Sequence, residues 1–155
     1  MKPKKSIFIS TGEISGDFYA GEIIKRLKER YDLEVLVLGG ECVVQAGANL
    51  IYDTTAIATF GFFELLTTLR QWKIVWNKTA KILKCSPPSV AILIDNPGFN
   101  LRMVRLCHQI GIPIIYFIPP QVWVWNRRRA ALLSRYADWI LTIFPWEDNY
   151  FKGGQ

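Results

Sequence analysis

The chain has 155 residues, half of them hydrophobic and 21% charged: enough for one domain with its own core, too few for two ordinary ones, and unlike a disordered chain. Nineteen basic against thirteen acidic residues leave a net charge of +6, which directs attention to phosphorylated ligands, anionic membrane surfaces and nucleic acid without choosing among them. The three cysteines, Cys42, Cys85 and Cys107, lack the spacing of a disulfide framework or zinc site and suit a reducing, cytosolic compartment.

Residues 6–10 read as a short buried strand, followed by a glycine-containing turn over 11–17 and a helix over 18–30. Ala20, Ile23, Ile24 and Leu27 share that helix's apolar face, and Asp17 or Ser15 is placed to cap it. A second strand, 33–38, ends in Gly39-Gly40, and a short helix near 41–46 leads to a strand at 49–52. Residues 60–83 form the longest helical stretch, one helix or two. Strand 90–94, helix 101–110, strand 114–118, helix 126–136, strand 139–143 and the start of a further helix complete the series. Repeated strand–helix units with apolar strands predict an α/β fold, a Rossmann-like doubly wound parallel sheet within a single domain over residues 1–155. The basic start is followed only by Ile7-Phe8-Ile9, too short for a signal peptide, and prolines break the apolar run over 112–125 before it could span a bilayer. The series stops as its last helix begins, so the chain reads as the first half of something longer.

Three segments can carry chemistry. Gly12-Glu13-Ile14-Ser15-Gly16-Asp17 lies at the first strand-to-helix turn, where phosphate loops occur, but it is neither GxGxxG nor a nucleophile elbow. It is either a tight capped turn or a set of backbone amides that, with Glu13 and Ser15, faces a polar ligand. Asp95 ends a strand and precedes Asn96-Pro97-Gly98-Phe99-Asn100. It either orders the turn or acts as a general base towards a sugar hydroxyl, with Asn100 and Arg102 available for hydroxyls or phosphate. The loop Pro119-Pro120-Gln121-Val122-Trp123-Val124-Trp125 runs into Arg127-Arg128-Arg129, where a helix dipole opposes positive charge; either phosphate or solvent accounts for that triplet. Beyond these, Phe62, Trp72, Lys73 and Trp76 lie on the long amphipathic stretch, which suits either an anionic membrane surface or the face of the sheet. His108 is solitary and reads as structural, and no nucleic-acid-binding module is recognisable.

These segments together resemble the lipid-A-disaccharide synthase family along the whole chain. Gly12, Glu13, Ser15, Gly16 and Asp17 match its GE-x-SGD opening; Asp95, Pro97, Phe99 and Asn100 match D-x-P-x-FN. The stretch from Gly111 through Tyr116 matches GIP-x-I-Y, and Pro120, Gln121, Val122, Trp123 and Trp125 match PQVW-x-W. An arginine-rich helix start at Arg127, Arg128 and Arg129 and an FPFE-like strand end at Phe144 to Glu147 follow in order. The sequence departs from the family at Val43, Phe60, Gly98 and Pro119, where methionine, a small residue or methionine, an acid and serine are usual.

The resemblance implies the N-terminal, acceptor-side lobe of a two-lobed type B glycosyltransferase, with the UDP-binding lobe not in this chain. Such an enzyme transfers diacylglucosamine from its UDP derivative to diacylglucosamine 1-phosphate, forming a β-1,6 disaccharide with inversion. It works at the cytoplasmic face of the inner membrane and needs no metal or cofactor. Asp95 is then the candidate base, and Gly12, Glu13, Ser15, Gly16, Asp17, Asn100, Arg102, Gln121, Trp123 and Arg127 the candidate substrate-binding residues. Phe62, Trp72, Lys73 and Trp76 are the candidate membrane contacts, a separate C-terminal lobe is the implied partner, and nucleic acid is not expected. The competing expectation is a non-catalytic domain that holds acylated sugar phosphates at a membrane.

Overall fold

A computed structural model describes residues 5–59, 65–121 and 128–151, apart from the side chains at 58, 59, 65 and 66. Six strands, β1 (Lys5–Ser10), β2 (Leu33–Gly39), β3 (Asn49–Asp53), β4 (Val90–Ile94), β5 (Ile114–Phe117) and β6 (Trp139–Leu141), form one sheet in the order β3-β2-β1-β4-β5-β6. Every pairing is parallel. Parallel strands need crossover connections, and their helices bury both sheet faces, which is why β1 and β4 read as unbroken apolar runs.

Helices α1 (Ile14–Arg30) and α2 (Glu41–Gln45) cover one face, where Ala20, Ile24 and Val43 close over Ile7, Ile9, Val35, Val37 and Ile92. The opposite face carries α3 (Thr55–Thr59), α4 (Leu65–Cys85), α5 (Pro97–Gln109) and α6 (Arg128–Tyr136). Here Val75 and Leu83 of α4, Met103 and Val104 of α5 and Leu133 of α6 pack on Phe8, Leu93, Ile114 and Tyr116. Burying each such side chain contributes about 2 kcal/mol, so these two layers hold the sheet.

The sheet's order reverses between β1 and β4, and the carboxyl ends of strands flanking such a switch point form the ligand crevice of doubly wound folds. Two of the three segments singled out in the sequence, those of Gly12 and Asp95, leave from there. The rim at β6 is less finished. Trp139 and Leu141 stand in register with Ile115 and Phe117, on the face covered elsewhere by α1, yet they are 59% and 50% exposed.

Two helix starts differ from the expectations. Helix α1 begins at Ile14 rather than near residue 18, and α5 at Pro97 rather than 101. Pro97 sits at the first helical position, where its fixed φ is pre-organised and its missing N–H costs nothing. Of the long stretch over 60–83, the described part is the single helix α4, and α3, at Thr55–Thr59, precedes it and was not expected. The last segment is a 3₁₀ turn, Pro145–Tyr150.

Candidate functional site

Asp95 leaves β4 in the left-handed region at φ 48, and Asn96 follows at φ 44. Short polar side chains tolerate that region better than others, which is why Asp and Asn can stand here. The strained backbone is held from several sides. The Asp95 N–H donates to the Phe117 carbonyl at 3.0 Å, while its carbonyl accepts from the Asn100 amide at 2.9 Å and the Tyr116 hydroxyl at 2.7 Å. Asn100 also donates to the Ile94 carbonyl at 3.1 Å and accepts from the Ser10 hydroxyl at 2.7 Å, tying β1 to β4.

With its backbone so occupied, the Asp95 side chain faces a cleft of about 430 Å³ shared with Ile118, Gln121, Arg129 and Glu147. Partial burial pushes its carboxyl above the ordinary value, the nearby Glu13 charge pushes it further, and the Asn96 N–H opposes both. A carboxylate so shifted is a better proton acceptor near neutral pH. Ile118, on the cleft wall, lies at φ 58, a backbone conformation that β-branched residues rarely adopt. Burial drives the Tyr116 phenol well above its usual range, so it remains a donor to Asp95. Glu147 is buried, and its carboxylate accepts from the Ile143 and Phe144 N–H groups at 3.1 and 3.2 Å.

The expected site residues divide on inspection. Asp95 and Gln121 line one cleft, and Glu13 acts on Asp95 through its charge. Ser15 is exposed in the first turn of α1. Gly12 and Gly16 make close approaches possible: a Cβ on Gly12 would lie 2.2 Å from the Asn96 side chain, and one on Gly16 would lie 3.2 Å from Thr11.

Three expectations are corrected. Asp17 does not cap α1, nor does it face a ligand. It is buried, and its two oxygens accept from the Gly40 and Cys42 N–H groups at 2.6 and 2.9 Å, capping α2 across the fold. Ser15 does not cap α1 either, since the N-cap position is Glu13 and no side-chain cap bond forms. Asn100 is completely buried with its amide committed to the β1–β4 seam, so it positions Asp95 rather than touching a ligand.

Arg102 is exposed on α5, outside the Asp95 cleft. It borders instead an apolar pocket of about 590 Å³ walled by Leu69, Trp72, Trp76 and Phe99, with Lys73 at its rim. Trp72 and Trp76 are half-buried there, with ring centroids 5.0 and 5.9 Å from that of Phe99. Phe62, Trp123 and Arg127, like Phe60, lie outside the described residues. His108 packs against Tyr136 at 4.8 Å.

Tyr116, Arg129 and Glu147 were not among the candidate site residues. Tyr116 and Glu147 stand in quoted motifs that give them no role, while Arg129 belongs to the arginine triplet for which phosphate is one reading. Among the described residues no three of His, Cys, Asp or Glu converge as a metal site would require, and no helix is long and apolar enough to cross a membrane. The buried Cys107 thiol is pushed up to about 12 and is inert as a nucleophile.

A family model described as lipid-A-disaccharide synthetase matches residues 7–154. Lipid-A-disaccharide synthase of Koribacter versatilis is 34% identical over 148 residues, covering 94% of this chain and 39% of that protein. Lipid-A-disaccharide synthase 1 of Legionella pneumophila (Philadelphia 1) is 36% identical over 148 residues, covering 94% and 38%. Among solved structures, UDP-GlcNAc 2-epimerase of Neisseria meningitidis, bound to UDP-GlcNAc, superposes with a TM-score of 0.62 at 10% identity. That likeness covers 96% of this chain and 42% of the epimerase, and it establishes the fold alone.

Proposed function

The chain belongs to the lipid-A-disaccharide synthetase family, spanning about two fifths of the length of the curated relatives it matches, and on that premise we propose that it is the acceptor-side lobe of an inverting glycosyltransferase. Completed by a second, nucleotide-binding lobe, it transfers diacylglucosamine from UDP to diacylglucosamine 1-phosphate. Asp95 accepts the proton of the attacking sugar hydroxyl, the hydroxyl oxygen displaces UDP at the anomeric carbon, and no covalent enzyme intermediate forms.

The observation that carries this reading is the Asp95 carboxyl itself. It is held in a left-handed loop at the switch point, opens on a cleft and is biased towards proton binding by burial and Glu13. Enzymes tune carboxylates upward in this way when they serve as acids or bases.

The same reading places the lobe peripherally on the cytoplasmic face of the inner membrane. In support, α4 exposes Leu69, Ile74, Lys73, Lys81 and Lys84, a basic amphipathic surface suited to anionic lipid. A turnover assay with labelled diacylglucosamine 1-phosphate and its UDP-activated partner tests the proposal. The chain is assayed alone and with a separately expressed second lobe from a longer relative. Disaccharide is expected only in the mixture; if neither gives product while the acceptor binds, the lobe is a non-catalytic holder of acylated sugar phosphates.

A further inference from the structure

A second cavity, of about 320 Å³, runs between α5 and α6, and its polar lining is almost wholly guanidinium: Arg102 and Arg105 from α5, Arg128 and Arg129 from α6. Its remaining walls are Pro97, Gly98, Leu101 and Leu132, so no acid among the described residues lines it. Two features make this costly for the protein alone. Arg102 and Arg105 are three residues apart on one helix, where like charges repel. Arg129 lies in the first turn of α6, where the helix dipole opposes cations. On α1, by contrast, Lys25 is neutralised by Glu22 at 2.8 Å. An anion seated between the two helices would relieve both penalties, and the planar fork of arginine suits the oxygens of a phosphate.

The neighbours of this groove specify what carries the phosphate. The groove shares Gly98 and Arg102 with the apolar pocket of Trp72, Trp76 and Phe99, and it shares Pro97 and Arg129 with the cleft of Asp95. A basic groove thus joins an apolar pocket to a carboxylate around the start of α5. We propose that Arg102, Arg105 and Arg129 form the phosphate site for an amphiphile whose chain enters the Trp72–Trp76 pocket. The proposal rests on the acceptor-lobe reading and adds the location of the phosphate. Bound this way, the ligand keeps its polar end beside Asp95.

Arg105 is exposed, so Arg105→Glu reverses one charge of the groove without disturbing the core. The test is calorimetric titration of the 155-residue chain with decyl phosphate below its micellar concentration, beside inorganic phosphate and decyl glucoside. Vesicles of phosphatidylcholine with and without phosphatidylglycerol separate a membrane headgroup from a dissolved amphiphile. Decyl phosphate is expected to bind more tightly than either soluble control. Arg102→Ala/Arg105→Ala/Arg129→Ala is expected to weaken it by about tenfold to a hundredfold, the loss of one or two charge-assisted contacts, with decyl glucoside unchanged. Arg105→Glu is expected to weaken it likewise, while Lys25→Ala/Arg26→Ala/Arg30→Ala, with the same charge loss on α1, is not.

Unchanged decyl phosphate binding in both groove variants would overturn the groove and leave the acceptor-lobe reading standing. So would equal weakening by the α1 variant. Inorganic phosphate binding as tightly as decyl phosphate, or groove variants that weaken binding to anionic vesicles and not to decyl phosphate, would overturn the amphiphile assignment. No binding of either decyl compound to the parent chain would overturn both the groove and the acceptor-lobe reading.

Discussion

At the scale of single residues, two side chains of quoted motifs turn out to support others. Asn100 matches a family motif, and in the sequence it reads as a contact for hydroxyls or phosphate. Only the fold reveals that its partners, Ser10, Ile94 and Asp95, enclose it. Asn100→Ala should therefore cost on the order of 3 kcal/mol of unfolding free energy without any ligand present, readable in a urea melt. Asp17 was legible as a helix cap, but the helix it caps lies across the fold, which spacing along the chain cannot report. Since each of its oxygens takes a different N–H, Asp17→Asn should lose about 1–2 kcal/mol, scarcely better than Asp17→Ala.

Asp95 should behave in the opposite way. Its carboxyl is raised in the folded chain, so the fold favours the protonated form. That contribution is complete below the unfolded value and is lost as pH rises through the raised one. Asp95→Asn should thus melt above the parent near neutral pH, with the difference closing as pH falls towards the ordinary carboxylate value of 3.8. In a reconstituted two-lobe enzyme the same substitution should lower turnover by about 100-fold or more. A variant that gains stability while losing turnover marks a group kept for chemistry; near-normal turnover would return Asp95 to a turn-ordering role.

Among the elements, strands were easier to read than helix starts. Apolar runs bounded by glycine, proline and polar residues set β1, β2, β4 and β5 within a residue. Helices α1 and α5 each begin about four residues early because Ser15-Gly16 and Pro97-Gly98 imitate turns. Gly16 is in the helix because its bare Cα lets α1 lie against Thr11 and Ile94, a tertiary requirement. On α4, Trp72 and Trp76 turn towards Phe99, as a helix packed on the fold requires, while Leu69 and the lysines face outward. Sedimentation with anionic liposomes is therefore expected at low salt and should fade as salt rises. Trp72→Ala should lessen it mainly through lost apolar contact, so its residual binding should keep the parent's salt dependence; binding unaffected by salt would remove the lysines from the account.

For the molecule as a whole, the doubly wound architecture followed from alternation alone, and the switch point between β1 and β4 brought together two loops 80 residues apart in sequence. What alternation could not supply was the condition of the far rim. Side chains like Trp139 and Leu141 left bare on an edge strand invite self-association. Trp139→Lys, a charge at that edge, should reduce light scattering of the chain at micromolar concentration without altering Asp95 or the arginine groove.

That bare rim also has a meaning for the life of the polypeptide. A sheet whose cleft is built while its flank stays adhesive can fold before it is safe to leave uncovered. How long it escapes chaperone and protease then depends on whichever surface shelters Trp139 and Leu141, in the same polypeptide or another.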